Sequence, residues 1–118
     1  MQITMTYLLA LLLVGRTFSL NVVDMPEILN QLAYCESSLN PMAYVKDDYG
    51  SPSMGLLQFK LSTWNWAIKK YNYKGLDIMN PDHQKLVAGR MIEDGLWKHW
   101  KICGKKIGLD KIYAISNN

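Results

Sequence analysis

One glutamate of the chain, Glu36, lies where a carboxyl group could act as a general acid. The apolar residues Ile28, Leu29 and Leu32 recur at helical spacing and predict one buried helix face, and Glu36 continues that face. Burial disfavours the charged form of a carboxyl group and raises its pKa. A carboxyl group that keeps its proton near neutral pH can donate it to a leaving oxygen. The alternative, which position alone favours, is a glutamate at a helix end that is turned toward water.

A second acidic group for the same chemistry has little support in the sequence. Glycosidases that work with two carboxyl groups hold them at a defined separation. No other carboxylate of this chain stands at a distance from Glu36 that a helix would fix, and Asp47 and Asp48 are the exceptions to consider. Both lie in the polar segment 44–53, and the preferred interpretation is that they form a turn on a solvated loop.

The helix that positions Glu36 has clear start and stop signals. Asp24 predicts its N-cap, because Pro26 and Glu27 follow at the places that proline and a capping glutamate prefer in a first turn. The segment 37–41 predicts its end, because serine, asparagine and proline favour caps and turns over helix interiors. Glu36 is therefore expected in the last turn of this helix.

Two further helices are predicted downstream. Ser62 predicts the N-cap of the second, and Asn80 with Pro81 predicts the start of the third, which stops at Gly95. No segment alternates apolar and polar residues for long enough to predict a strand. We therefore expect an all-α fold with a helical core and a long polar loop at 44–53.

The composition limits the class of protein. The chain has 118 residues, of which 49% are hydrophobic and 19% charged, and its formal net charge is +3. These values fit a single folded domain and exclude disorder, and the mild charge does not indicate a nucleic-acid partner. We expect the domain to span residues 20–103, followed by a basic and only partly ordered tail at 104–118.

The N-terminal residues 1–19 are interpreted as a secretory signal peptide. An apolar run from Tyr7 to Val14 is too short to cross a bilayer, and Thr17 to Ser19 offers a small-x-small cleavage site. A buried N-terminal helix is the alternative. No cysteine follows closely enough to carry a lipid, so we expect a secreted, periplasmic or cell-wall location without a stable membrane anchor.

Cys35 and Cys103 are the two cysteines of the chain. In an oxidising compartment, two cysteines in a small domain favour a disulfide, and two buried free thiols are the alternative. With no C-x-x-C motif and only His83 and His99 as other soft ligands, a zinc site has little support. We therefore expect neither a metal nor a cofactor.

Two short motifs flank the polar segment. The chain reads ESSLNPMA at 36–43 and GLLQ at 55–58. They resemble the lytic transglycosylases with a goose-lysozyme-like fold, in which E-S, an apolar residue, proline and alanine stand in fixed register before G-L-M-Q. The similarity continues through Asn80 and Pro81, with Gln84, and covers roughly residues 24–103.

The resemblance implies a lysozyme-like single domain with the polar loop beside its catalytic cleft. It implies that this domain cleaves the β-1,4 bond between N-acetylmuramic acid and N-acetylglucosamine in peptidoglycan. It implies that Glu36 protonates the glycosidic oxygen and then acts as the base, while the muramyl C6 hydroxyl attacks and gives a 1,6-anhydro product. It also implies that Ser37 contacts the sugar near the scissile bond and that Gln58 hydrogen-bonds a bound saccharide. The expected partner is the peptidoglycan glycan strand, bound by a monomer.

Aromatic side chains could add sugar contacts, because sugar faces stack on rings as other apolar surfaces do. Trp66 lies off the apolar stripe of its helix and is the preferred candidate, whereas Trp64 lies on that stripe and is expected in the core. Trp97 and Trp100 are spaced to share a face beside Cys103, where we expect them to pack around a disulfide.

Two departures from the family pattern leave other functions open. The segment between the two motifs is a few residues longer than usual, and the A-Y-N-x-G motif, with its tyrosine near the catalytic acid, has no clear match. YNYKG at 71–75 comes before the third helix, in the wrong order, and Tyr113 has neighbours that do not fit. The alternatives are a lysozyme-like hydrolase in which Asp47 or Asp48 activates water, and a non-catalytic module that binds the cell wall.

Overall fold

The computed structural model describes residues 23–47 and 49–114 of the chain. The predicted signal peptide at 1–19, Asp48 and the end of the predicted tail at 115–118 lie outside these residues. Within the described ranges the chain is mostly helical, with one small antiparallel sheet. No helix among these residues has the length and apolar character needed to cross a membrane.

The first helix, α1, spans Met25–Ser37 and begins as predicted. The Asp24 side chain accepts a hydrogen bond of 3.3 Å from the Glu27 backbone N–H, which satisfies one of the donors left free at a helix start. Its apolar stripe faces the core and includes Leu32, which is fully buried. The helix ends at Ser38, whose φ of 54° lies in the left-handed region.

The polar segment after α1 contributes to a three-stranded sheet, where the sequence predicted only a loop. The strands are β1 (Tyr44–Lys46), β2 (Pro52–Met54) and β3 (Phe59–Lys60). They pair antiparallel in the order β1-β2-β3, and Ser53 in the central strand lies opposite Val45 on one side and Lys60 on the other. The expected all-α class is corrected to a mainly helical domain with a small sheet. Strands of two or three residues are too short to show the alternation that predicts them.

Helices form most of the rest of the described chain. They are α2 (Leu61–Lys70), α3 (Pro81–Glu93), a 3-10 helix (Trp97–Trp100), α4 (Lys101–Lys106) and α5 (Leu109–Ile112). Asn80 caps α3 as predicted and accepts hydrogen bonds from the backbone N–H groups of Asp82 and His83 at 2.9 and 3.2 Å. The cap predicted at Ser62 is wrong, because β3 runs directly into α2 and the helix already begins at Leu61.

The helices and the sheet share one hydrophobic core. Phe59 packs edge-on against Trp64 and Trp100, with ring centroids 5.1 and 5.2 Å away. These two indoles and that of Trp97 are almost completely buried, which confirms the core position predicted for Trp64. Gln84 is the one buried polar residue among those that the structure describes, and it is fully buried.

A disulfide joins Cys35, near the end of α1, to Cys103 in α4, with a Cα–Cα distance of 5.8 Å. The expected pairing is therefore present. Helix α4 continues past the domain boundary predicted at residue 103, and α5 buries Leu109 completely. The described part of the predicted tail thus packs against the same core as the helices before it.

Candidate active site

Glu36 lines a cavity of about 250 Å³ beside the sheet and the 3-10 helix. The lining side chains belong to Glu36, Ser53, Gln58, Phe59, Lys60, Thr63, His99 and Trp100. Among the described residues, Glu36 is the only acidic one in this lining. The cavity therefore combines a single carboxyl group with basic, polar and aromatic side chains.

The carboxyl group of Glu36 is partly withdrawn from water. The side chain is half-buried in the last turn of α1, on the side where the apolar stripe ends. Burial raises the pKa of this carboxyl group from its ordinary value of 4.5, and no hydrogen bond from the described residues offsets that shift. The sequence left open whether this carboxyl group is buried or turned toward water, and the structure places it between the two. Its partial burial favours the protonated form that a general acid needs.

The chain leaves α1 directly after Glu36 through two left-handed residues. Ser38 and Leu39 have φ angles of 54° and 64°. Their backbone N–H groups donate hydrogen bonds of 2.9 and 3.3 Å to the carbonyl groups of Tyr34 and Ala33. These bonds satisfy carbonyl groups at the helix end, so that the last helical turn, which carries Glu36, is held closed.

Ser37 connects the two sequence motifs. Its hydroxyl donates a hydrogen bond of 2.7 Å to the carbonyl oxygen of Leu56 and lies 3.1 Å from that of Ala33. The same hydroxyl accepts a hydrogen bond of 3.2 Å from the backbone N–H of Asn40. Ser37 does not belong to the cavity lining. Its contacts join α1 to the turn at 55–58, and its predicted sugar contact stays a prediction.

Gln58 lines the cavity at the end of that turn. Its side-chain Nε2 donates hydrogen bonds to the carbonyl groups of Gly55 at 3.0 Å and Ala43 at 3.4 Å. These bonds fix the amide, and its oxygen has no hydrogen-bond partner among the described residues. The oxygen can accept a hydrogen bond from a hydroxyl group of a ligand, which is the property that the saccharide prediction requires.

Gln84 supports the turn from the buried side, a role that the sequence interpretation missed. Its Oε1 accepts a hydrogen bond of 2.7 Å from the Leu57 N–H, and its Nε2 donates to the carbonyl groups of Met54 at 2.9 Å and Ile78 at 2.6 Å. Gly55 has a φ of +80°, and a Cβ at this position would collide with the Gln84 amide. The available signal was a glutamine on the apolar face of α3, where a buried amide needs partners.

His99 and Trp100 form the aromatic side of the cavity. The Trp100 indole N–H donates a hydrogen bond of 2.7 Å to the Leu57 carbonyl oxygen. Burial lowers the pKa of His99 below its ordinary value of 6.5, so that the neutral imidazole predominates at neutral pH. Trp66 is 44% exposed and its ring lies 5.8 Å from that of His99. Trp66 therefore extends the aromatic surface outward but does not line the cavity itself.

Asp47, considered above as a residue that activates water, is held by its neighbours. Its Oδ2 lies 2.9 Å from Nζ of Lys60, and its Oδ1 accepts hydrogen bonds from the backbone N–H groups of Tyr49 and Ser51 at 2.9 and 2.8 Å. The hydrogen bond from Lys60 is the main cause of a lowered pKa at Asp47. Asp47 does not line the cavity and forms a turn, as the preferred interpretation predicted.

None of the described tyrosines lines the cavity. Tyr71 donates a hydrogen bond of 2.8 Å to Asp94, and burial together with this bond raises the pKa of Tyr71 to about 12. Tyr113 packs against the core, where burial raises its pKa. The structure therefore brings neither candidate into the cavity lining beside Glu36.

The histidines do not form a metal centre. Among the described residues, no group of three or more histidine, cysteine, aspartate or glutamate side chains is placed to hold a metal ion. His83 accepts a hydrogen bond of 2.9 Å at Nδ1 from the Asp77 backbone N–H. This histidine thus stabilises the segment before α3.

The chain matches a known protein family. The model of the transglycosylase SLT domain matches residues 20–99, which is more than half of the chain and includes Glu36, Ser37 and Gln58. No curated protein and no solved structure matches the chain.

Proposed function

The chain belongs to the transglycosylase SLT domain family, and from this premise we propose that it cleaves the β-1,4 bond between N-acetylmuramic acid and N-acetylglucosamine in peptidoglycan. We propose further that the reaction is a lytic transglycosylation, in which a hydroxyl group of the substrate takes the place of water. Glu36 is the catalytic residue of this proposal.

The observation that carries the proposal is the single, partly buried carboxyl group in the cavity. Glu36 is the one acidic side chain among the described lining residues, and desolvation raises its pKa. Such a group retains its proton at a pH where an exposed glutamate has lost it, and can deliver that proton to the glycosidic oxygen. A hydrolase with two carboxyl groups needs a second acid to activate water or to attack the sugar. One carboxyl group is enough when the nucleophile belongs to the substrate.

The proposed reaction uses Glu36 twice. Its carboxyl group first gives a proton to the glycosidic oxygen, and the bond between that oxygen and C1 of muramic acid breaks. The resulting carboxylate then takes the proton of the muramyl C6 hydroxyl, whose oxygen bonds to C1 and closes the 1,6-anhydro ring. Glu36 ends protonated, as it began, and no water is consumed. A hydroxyl group on the same sugar is already close to C1, which reduces the entropic cost of attack.

Three further residues have proposed roles on the substrate side of the cavity. The free amide oxygen of Gln58 supports a hydrogen bond to a saccharide, and the exposed ring of Trp66 supports stacking against a sugar farther along the strand. The hydrogen bond from Ser37 to Leu56 supports an indirect role, because it joins the helix of Glu36 to the turn of Gln58. We propose Ser37 as a positioning residue for both.

Hydrolysis has less support. Both carboxylate oxygens of Asp47 already have partners, namely Lys60 on one side and the backbone of the β1-β2 turn on the other. An oxygen that activates water needs a free lone pair directed at that water. Asp47 also lies outside the lining of the cavity that holds Glu36, so hydrolysis with Asp47 as the base has less support.

Release of soluble fragments from purified peptidoglycan tests the assignment. We expect Glu36→Gln to fold and to release fragments about 10²- to 10⁴-fold more slowly than the wild type, because the acid is lost. Glu27→Gln is the matched control, since Glu27 is exposed on the same helix and we expect its variant to keep full activity. Undiminished release by Glu36→Gln would contradict the assignment, and glycan binding without release by the wild type would indicate a non-catalytic module.

We also propose that the protein acts outside the cytoplasm, as a monomer on the wall and without a stable membrane anchor. The Cys35–Cys103 disulfide supports an oxidising compartment, because such bonds are rare in the reducing cytosol. Cleavage of the proposed signal peptide after Ser19 gives a mature chain that begins at Leu20. The intact mass of the secreted protein tests this, and retention of residues 1–19 would contradict it.

A further inference from the structure

His99 is the one aromatic side chain in the described lining of the Glu36 cavity whose polar atoms have no partner in the protein. The other two rings belong to Phe59, which has no polar atom in its side chain, and to Trp100, whose indole N–H is bound to Leu57. No other described residue makes a hydrogen bond to the His99 imidazole, and desolvation alone shifts its pKa. Both ring nitrogens are therefore available to a ligand in the cavity.

The 3-10 helix determines where His99 stands. About three residues complete one turn of such a helix, so Trp97 and Trp100 lie on the same side, and both are almost completely buried. His99 lies on a different side of the helix and is exposed. Its backbone N–H donates a hydrogen bond of 3.4 Å to the Leu96 carbonyl oxygen. The two buried indoles thus hold the backbone in place, while the imidazole stays open to the cavity that it lines.

Apolar ring surface lies next to the His99 nitrogens. The centroid of the imidazole ring is 5.8 Å from the ring of Trp66 and 6.3 Å from that of Trp100. Trp66 is an exposed residue, so part of its surface is open to a ligand. A group that forms a hydrogen bond with His99 therefore lies close to an indole against which an apolar substituent can pack.

The charge state of this part of the cavity favours a neutral ligand group. Although His99 is exposed as a whole, partial burial lowers its pKa, and the uncharged imidazole predominates at neutral pH. A neutral imidazole offers one N–H donor and one acceptor nitrogen. Lys60, which lines the same cavity, is already paired with Asp47. Nothing here favours an anion over an uncharged group that can accept or donate a hydrogen bond.

An acetamido group fits both properties of the His99 surroundings. It carries a carbonyl oxygen and an N–H, of which either can pair with an imidazole nitrogen, and it ends in a methyl group that can pack against an indole. A hydroxyl group satisfies the nitrogen but has no apolar part. Both sugars of the proposed substrate carry an acetamido group at C2.

We propose that His99 is a specificity-determining residue that recognises, together with the neighbouring indole of Trp66, the acetamido group of an N-acetylated sugar. This inference rests on the proposed function, because it takes an N-acetylated glycan as the substrate. One nitrogen of His99 forms a hydrogen bond with the amide, and the methyl group packs against the indole. Sugars that lack the acetyl group are thereby bound more weakly.

The test measures dissociation constants by NMR titration with two trisaccharides. They are tri-N-acetylchitotriose and cellotriose, which has a hydroxyl group at each C2 in place of the acetamido group. We expect the wild type to bind the first about tenfold more tightly than the second, with a saturable shift of the His99 imidazole resonances. His99→Phe keeps a flat ring but removes both nitrogens, so we expect it to bind tri-N-acetylchitotriose about tenfold more weakly and cellotriose as before.

Two further variants separate the hydrogen bond from the shape of the side chain. His99→Gln again supplies a donor and an acceptor, and we expect it to bind tri-N-acetylchitotriose within about threefold of the wild type. The matched control is Lys98→Met, since Lys98 is the preceding residue of the same 3-10 helix and does not line the Glu36 cavity. We expect this variant to bind both trisaccharides as the wild type does.

Several results would overturn the inference. They are equal affinity of the wild type for the two trisaccharides, no binding of either, undiminished affinity of His99→Phe for tri-N-acetylchitotriose, and a loss that is the same for both ligands or that His99→Gln shares in full. The titration does not depend on catalysis. Selective binding through His99 by a protein that releases no wall fragments contradicts the proposed function alone, whereas release of fragments without a role of His99 in selectivity contradicts this inference alone.

Discussion

Glu36 ends a helix whose inward side chains are otherwise apolar, and this position determines its chemistry. Packing of this helix against the core buries Leu32 completely but leaves Glu36, at the edge of the cavity, only half-buried. Two basic residues, Lys60 and His99, share the lining with it. Burial lowers the pKa of His99, so that the neutral imidazole predominates at neutral pH and supplies no positive charge, and Lys60 is paired with Asp47. Desolvation is therefore the dominant influence on the Glu36 carboxyl group.

At the residue scale, the raised pKa of Glu36 predicts the pH dependence of the reaction. The acid must be protonated to act, so kcat falls as the pH rises through its pKa in the bound complex. Because burial raises this pKa above 4.5, we expect the alkaline limb of the rate profile to have its midpoint above that value. Initial rates of fragment release at a series of pH values measure the limb. A midpoint at or below 4.5 would show that desolvation does not govern Glu36.

At the scale of elements, the turn at 55–58 is fixed from three directions. Ser37 binds it from α1, Gln84 binds it from α3, and the indole of Trp100 binds it from the 3-10 helix. The turn carries Gln58 into the cavity. Two helices, a 3-10 helix and the sheet thus meet at the segment that places the Gln58 amide in the same cavity as the Glu36 carboxyl group.

Replacing Gln84 by leucine tests this support. The change leaves the Leu57 N–H and the carbonyl groups of Met54 and Ile78 without their partner. Each buried group left unpaired costs about 1–3 kcal/mol, so we expect a loss of about 3 kcal/mol or more in the free energy of unfolding and a lower rate of fragment release. Urea denaturation measures the first effect. The control Gln31→Leu, at an exposed position of α1, is expected within about 0.5 kcal/mol of the wild type.

A small effect of Gln84→Leu, similar to that of Gln31→Leu, would contradict the role of Gln84. A loss of stability without a loss of activity would show that the turn keeps its shape without this amide. Gln58→Leu distinguishes support of the turn from binding of the saccharide, because Gln58 is only partly buried. We expect that variant to have a higher KM for peptidoglycan and a smaller loss in the free energy of unfolding than Gln84→Leu has.

Sequence could predict the parts of this site that local patterns determine. The cap at Asp24, the apolar stripe and the stop after Ser37 together placed Glu36 in the last helical turn. The strands were missed because a ladder of two or three residues has no readable period. The role of Gln84 was missed because it depends on partners that are 27 and 30 residues away in sequence. Long-range hydrogen bonds leave no trace in the spacing of one chain.

At the scale of the whole molecule, one disulfide joins the first helix, α1, to helix α4 near the site. Cys35 precedes Glu36 directly, and Cys103 lies in the helix that follows the 3-10 helix. Domains of this size have a small core and are only marginally stable without additional restraints. The disulfide therefore restrains both the fold and the orientation of the helix turn that carries Glu36.

Removing the disulfide should reduce stability strongly. The two cysteines are 68 residues apart, for which the chain-entropy model gives a stabilisation of about 4 kcal/mol. We expect the double variant Cys35→Ala and Cys103→Ala to lower Tm by about 15 °C or more. Thermal unfolding followed by circular dichroism measures this change in Tm. An unchanged Tm would show that the core alone holds the domain.

The most direct test of the proposed reaction is the mass of the products formed from purified peptidoglycan in water enriched in heavy oxygen. A lytic transglycosylase consumes no water, so we expect 1,6-anhydromuramyl ends that carry no heavy oxygen and are lighter by one water than reducing ends. We expect these products to disappear with Glu36→Gln and to persist with Glu27→Gln. Reducing ends that contain heavy oxygen would contradict the proposed transglycosylation and establish a hydrolase instead.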